Sequence, residues 1–179
     1  MKNELISWLK SFVFAFAFVF VIQHFFFVPT IVQGESMMPT FQDGNGLIVS
    51  KISEIERFDK IVFHAPDSEK NYIKRVIGLP GDKVSMEDDT LYINGRSYEE
   101  PYLEENKKSL FPLSNLTGDF TLEELTGEKN VPDGYLFVLG DNRLKSKDSR
   151  HFGFIPIKSV IGTAEVQVWP LNQVGRTKE

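Results

Sequence analysis

Ser36 lies in Gly34-Glu35-Ser36-Met37-Met38-Pro39-Thr40, a hydroxyl on a constrained turn just after a long apolar run. Gly34 frees the backbone to approach a ligand, and Pro39 fixes its own φ and biases Met38 to an extended conformation. A hydroxyl becomes a nucleophile only when a base takes its proton. Without one, a serine in such a place caps or closes a turn. The search for chemistry is therefore a search for the base. Cysteine is absent, which removes thiolate catalysis, disulfides and Cys-based zinc sites. The three histidines, His24, His64 and His151, have no spacing that suggests a metal site. His24 falls inside the apolar run, so His64 and His151 are the histidine alternatives for a base. A lysine can serve instead if burial lowers its pKa. At the usual ~10.4, about 0.04% of a lysine is neutral at pH 7, and at ~8 roughly a tenth is.

Lys74 has a suitable setting, between Tyr72-Ile73 and Val76-Ile77. In a strand, Lys74 and Arg75 face opposite ways, so one of them points inward or into a site. The competing reading is an edge-strand lysine that blocks aggregation, and the local sequence leaves both open. A third cluster runs from Gly140 to Gly153 and contains Asp141, Arg143, Ser146, Asp148, Arg150 and His151. It reads either as a solvated charged loop or as a rigid network. In the network, Asp141 and Asp148 accept from Arg75, Arg143 or Arg150. Such a loop could aim Ser146 at a buried lysine amine.

These residues need a scaffold to bring them together. The body reads as short β-strands separated by Gly and Pro turns. Candidate strands are 46–51, 60–66, 72–78, 83–86, 91–93, 96–98, 135–139 and 159–169, with Gly162 a bulge site. Asn94-Gly95 between β-prone residues predicts a type I′ hairpin. Residues of about 99–130 are acidic and weakly periodic, an insertion with a short helix near Leu122 to Leu125. From Phe12 to Val28 only Gln23 and His24 are polar, and eight of the sixteen phenylalanines lie there. With an extension back to Leu5 this approaches the ~20 residues that span a bilayer as a helix. Lys2 and Lys10 predict a cytoplasmic N-terminus. A cleaved secretory signal is the alternative, but no Ala-x-Ala follows the run, so an uncleaved anchor is expected. Without Lys2, Glu4 and Lys10, 18 basic and 24 acidic side chains remain, a net charge of −6, which argues against nucleic acid as a partner.

With its apolar N-terminus, Ser36-Met37-Met38-Pro39-Thr40, Gly46 to Lys51, Tyr72 to Asp82 and Gly140 to Gly153 in this order, the chain resembles the type I signal peptidases. These are membrane-anchored Ser-Lys endopeptidases, here of the Gram-positive, single-anchor kind. The resemblance implies that Ser36 is the acylated nucleophile, Lys74 the general base, and Ser146 a hydrogen-bond partner of the lysine. Arg75, Asp141, Asp148 and Arg150 correspond to residues that keep the catalytic sheet and loop in place. Met37 corresponds to the residue packed beside the nucleophile. Two positions depart from the pattern. Gly34 stands where some relatives carry an oxyanion-stabilising serine, and Lys145 stands where an asparagine is common.

The expectation is a mainly β protein: a signal-peptidase-like antiparallel β body with an N-terminal transmembrane helix. Residues 1–29 would form the cytoplasmic tip and anchor, and 30–179 an extracytoplasmic catalytic domain. The resemblance implies removal of signal peptides from exported preproteins by a monomer at the lipid bilayer, with no metal and no cofactor. Alternatives are a catalytically inactive membrane-anchored homologue and a mitochondrial inner-membrane processing peptidase. A soluble self-cleaving repressor-type peptidase shares the Ser-Lys core, but no Ala-Gly bond occurs here. Met38, Phe41 and Phe152 are expected to reach into lipid headgroups.

Overall fold

The computed structural model describes residues 2–110 and 114–177. The chain begins with α1 (Lys2–Phe26) and passes directly into β1 (Phe27–Ile31). There follow β2 (Gly46–Ser50), β3 (Lys60–His64), β4 (Asn71–Gly78), β5 (Val84–Glu87), β6 (Thr90–Ile93) and β7 (Arg96–Tyr98). A 3-10 turn at Pro101–Leu103 leads into α2 (Glu104–Leu110), and β8 (Phe120–Thr121) leads into α3 (Leu122–Thr126). The remainder comprises β9 (Tyr135–Leu139), α4 (Ser149–Phe152), β10 (Ile155–Pro156), β11 (Val160–Trp169) and β12 (Gly175–Arg176).

The larger sheet has the order β1-β2-β11-β3-β4-β9-β10, with β12 added on β11. The smaller has the order β7-β6-β5-β8. Every described pairing is antiparallel. The mainly β expectation holds, and the predicted strands form close to their expected places. Asn94 and Gly95 both have positive φ, 53° and 77°, as a type I′ turn requires between β6 and β7. The β3–β11 register slips between Val160 and Gly162, which places the bulge at the predicted glycine.

Three apolar clusters fill the body. Ile77, Val84, Leu91, Ile93, Phe120 and Phe137 join the small sheet to β4 and β9. Met37, Phe41, Leu47, Val49, Val62 and Ile73 pack beneath the Ser36 turn. Ile61, Phe63, Val76, Leu136 and Val138 form the third. Phe41 is 1% exposed and belongs to the second cluster, so it does not face lipid as the sequence suggested. Phe152 leans on Phe63 and Tyr72 through tilted and edge-on ring contacts and is half-buried. Both rings are used to build the body.

The described residues of the 99–130 stretch hold more regular structure than the composition suggests. Thr121 caps α3 in a reciprocal capping box with Glu124, and Gly127 ends that helix in a left-handed conformation. The helix near Leu122 was legible from the sequence, whereas α2 was not.

α1 departs from expectation in one respect. Among the described residues, no helix is long and apolar enough to cross a membrane. The uninterrupted apolar stretch covers only 12–22, about half of the ~20 residues a span requires. Lys2, Glu4, Ser7, Lys10 and Ser11 dilute one end, and Gln23 and His24 the other. The side chains of Gln23 and His24 lie outside the described residues. Phe12, Phe14, Phe16, Phe18 and Phe20 are all exposed, so neither face of the helix is covered by the body.

Candidate active site

The Ser36 turn belongs to the long connection between β1 and β2. Its base is closed by Val32 N–H donating to Asn45 O (2.8 Å) and Gly44 N–H donating to Val32 O (2.9 Å). Gly34 takes φ +83°, a region that disfavours a side chain, and its N–H donates to Asp43 Oδ1 at 2.7 Å. Met37 is fully buried and pins the turn to the cluster below.

β4 lies between β3 and β9, so Lys74 is on an interior strand and the edge-lysine reading fails. Lys74 is 3% exposed. Its Nζ donates to Ser36 Oγ at 2.8 Å and to Ile73 O at 2.9 Å. The Tyr72 ring centroid is 5.3 Å from that nitrogen. Burial lowers the Lys74 pKa to about 8, and the negative charges of Asp148 and Asp141 hold it from falling further. His64 and His151 are both exposed, and neither is hydrogen-bonded to Ser36.

The alternation along β4 sends Arg75 the other way. It forms a bidentate pair with Asp141, Nε to Oδ1 at 2.9 Å and a terminal nitrogen to Oδ2 at 2.6 Å, both side chains being fully buried. Arg75 also donates to Phe58 O at 2.9 Å and lies 3.7 Å from the centroid of the Tyr102 ring. Thr40 Oγ1 donates to Asp141 at 2.5 Å, tying the Ser36 turn to the same carboxylate. Asp148 pairs with Arg150 through two contacts of 2.9 Å and accepts Gly140 N–H at 3.0 Å. Burial would raise its pKa, but the Arg150 bonds and charge overcome this and hold it below the usual carboxylate range. The three arginines left open by the sequence are thus assigned: Arg75 to Asp141, Arg150 to Asp148, and Arg143 to Glu100, in a buried ion pair.

The 140–150 loop grips the turn directly. Asn142 N–H donates to Ser36 O at 3.0 Å, and its side-chain amide donates to Glu35 O at 3.1 Å. Lys145, at one of the departures from the family pattern, pairs with Glu35 at 2.6 Å. A Cβ on Gly140 would lie 2.1 Å from Ser146 Oγ and 2.5 Å from Ser36 O, so only glycine allows this approach. Ser146 corrects one expectation. It is 4% exposed beside the Ser36–Lys74 pair, but it makes no hydrogen bond with the lysine, whose Nζ donates to Ser36 and Ile73 O; its hydroxyl instead helps hold the Asp148 pKa down.

The dyad opens onto a groove of about 630 Å³ between residues 30–36 and 70–74. Among the described residues, no three His, Cys, Asp or Glu side chains are grouped to hold a metal ion. Sequence reasoning missed Thr40, Glu100, Tyr102 and Asn142 as supports of the site. Asn142 could have been flagged by its place beside Asp141. The other three carry no local signal.

A buried amine on a hydroxyl, held by an antiparallel β body and facing an open groove, is suited to acyl transfer by a serine with a lysine base. The family described as "Signal peptidase, peptidase S26" matches residues 5–169. A signal peptidase I of Bacillus caldolyticus is 52% identical over 159 residues, covering 87% of this chain and 86% of that protein. One from Bacillus licheniformis is 43% identical over 182 residues, covering 98% and 95%. The crystal structure of a signal peptidase I from Enterococcus faecalis V583 superposes with a TM-score of 0.61 at 50% identity. It covers 63% of this chain and 97% of that one. The chain belongs to the signal peptidase family, peptidase S26, and is an enzyme of the signal peptidase I type.

Proposed function

We propose that the protein is a membrane-bound serine endopeptidase that removes N-terminal signal peptides with Ser36 as nucleophile and Lys74 as general base. The observation that carries this is the 2.8 Å contact from Lys74 Nζ to Ser36 Oγ, made by an amine whose pKa burial brings to about 8. A neutral Lys74 takes the Ser36 proton as Oγ bonds to the scissile carbonyl carbon. The C–N bond then breaks, and the protonated lysine returns its proton to the leaving amine. A water, deprotonated by Lys74, cleaves the acyl-enzyme ester and releases the signal peptide. The oxyanion takes its hydrogen bonds from backbone N–H groups, foremost that of Ser36, because Gly34 has no hydroxyl to offer.

The substrate lies extended in the groove between 30–36 and 70–74, where β1 is an open edge of the sheet. Small side chains on the substrate fit this shallow space near the cut. The helix α1 acts as the anchor, the boundary expected at residue 29 falling inside β1, which pairs with β2. Exposure of apolar residues on both faces of α1 supports a lipid surrounding for them, and Lys2 and Lys10 support a cytoplasmic start. The body, from β1 onward, works outside the cytoplasm as a monomer. Confinement to the membrane raises the effective concentration of signal peptides lying there. Relatives in Bacillus support a bacterial cell membrane as the location.

Cleavage of a preprotein by the full chain tests the reading. Ser36→Ala and Lys74→Ala each abolish processing while the protein stays folded. Processing retained by either variant refutes the dyad.

A further inference from the structure

We propose that Asn106, in the stretch the sequence presents as an unpatterned insertion, is a positioning residue for the Ser36–Lys74 pair. The inference rests on the dyad reading above. Beyond its closed base and the buried Met37, the Ser36 turn is held internally by Met38 N–H donating to Glu35 O (3.1 Å) and Phe41 N–H donating to Met37 O (2.9 Å). Its position relative to Lys74 depends on ties to the 140–150 loop. Asn142, Lys145 and Thr40 supply ties from within those two elements. Asn106 supplies one from a third. Its amide nitrogen donates to Met38 O at 3.1 Å and to Asp141 O at 3.0 Å. One NH2 group spends its two protons on two backbones, one carrying the nucleophile and the other the carboxylate that holds Arg75. Both partners are carbonyls, so only the amide nitrogen can face them.

A brace needs a fixed base, and α2 has one on each flank. On one side Tyr102 lies over Arg75, and its hydroxyl donates to Glu100 at 2.6 Å. Glu100 in turn forms the buried pair with Arg143, whose Nε donates to Gly140 O at 3.0 Å. On the other side Lys107 Nζ donates to the Asp89 carbonyl at 2.8 Å. Asn106 therefore sits on a segment fixed to the base of the catalytic loop, and it holds the turn at a set distance from that loop.

The test uses the full chain in detergent, with wild type, Asn106→Ala, Asn106→Asp and Ser36→Ala cleaving one preprotein. kcat and KM are expressed per folded molecule, and melting is followed in parallel. Loss of positioning lowers kcat of Asn106→Ala roughly tenfold to a hundredfold. KM stays within about twofold, because the groove is unchanged. Asn106→Asp keeps the shape but turns acceptors toward two carbonyls, and falls at least as far. A purely structural role would lower the melting temperature and leave kcat per folded molecule intact. A kcat of wild-type size in Asn106→Ala, alongside an inactive Ser36→Ala, overturns this inference alone. Wild-type cleavage by Ser36→Ala overturns the dyad reading and this inference with it.

Discussion

The pH dependence of cleavage follows from one number. Burial brings the Lys74 pKa to about 8, and in the proposed mechanism the basic form is the active one. At that value roughly a tenth of the amine is neutral at pH 7, half at pH 8 and nine tenths at pH 9. With a fluorogenic signal-peptide substrate well below KM, kcat/KM should rise about fivefold from pH 7 to 8 and about tenfold from pH 7 to 9, then level off. A lysine at its ordinary 10.5 would instead give a rise of about tenfold per pH unit to beyond pH 10. Asp148 and Asp141 both hold the Lys74 pKa up, so Asp148→Asn should move the inflection to lower pH. A limb without a plateau before pH 10 would refute the buried-base argument. So would a limb that follows His151 and disappears in His151→Ala.

Two further outcomes follow from the geometry. Lys74 has a folded pKa below its unfolded 10.5, so the fold gains stability as pH rises from about 8 to 10.5 and lacks that contribution below 8. Wild-type stability in urea unfolding should therefore rise by about 3 kcal/mol through this group between pH 7 and pH 10.5, a rise that Lys74→Met lacks. The same pH dependence of stability in wild type and Lys74→Met would contradict the cost assigned to the buried amine. Gly140→Ala places a methyl 2.1 Å from Ser146 Oγ and 2.5 Å from Ser36 O, and backbone must shift to admit it. Cleavage should fall by about a hundredfold or more while circular dichroism stays native, and near-normal cleavage would show the loop to be less tightly seated on the turn.

The legible parts of the molecule were those written in adjacent residues. Asn94-Gly95, the Gly162 bulge and the alternating strands carry their structure in a few consecutive positions. Ser36 and Lys74 were legible by type and setting, one as a hydroxyl on a tight turn and the other as an amine among apolar neighbours. Whether Lys74 lay inside the sheet or on its edge was not legible, because strand order is a property of distant pairings. The placement of β4 between β3 and β9 depends on residues as far away as 135–139. The arginine pairings were hidden for the same reason: Arg143 finds Glu100, 43 residues away, rather than an aspartate of its own loop. α2 was missed because its seven residues bury no apolar side chain. Its contribution to the site comes from a single amide. The Phe-rich run approaches a spanning length only by extension to Leu5 and through Gln23 and His24, and its unbroken apolar stretch ends at Ile22. The sequence around Ser36 suggests an exposed Phe41, whereas the hydrophobic demand of the body draws it inside.

The most direct measurement of the central claim is the rate at which a serine-reactive acylating probe labels Ser36. It is followed by mass spectrometry of the Ser36 peptide in wild type and in the folded Lys74→Met variant. The account predicts labelling of Ser36 in the wild type that accelerates between pH 7 and pH 9, and none above background in Lys74→Met. Equal labelling in the two proteins, or a label on a residue other than Ser36, would contradict it.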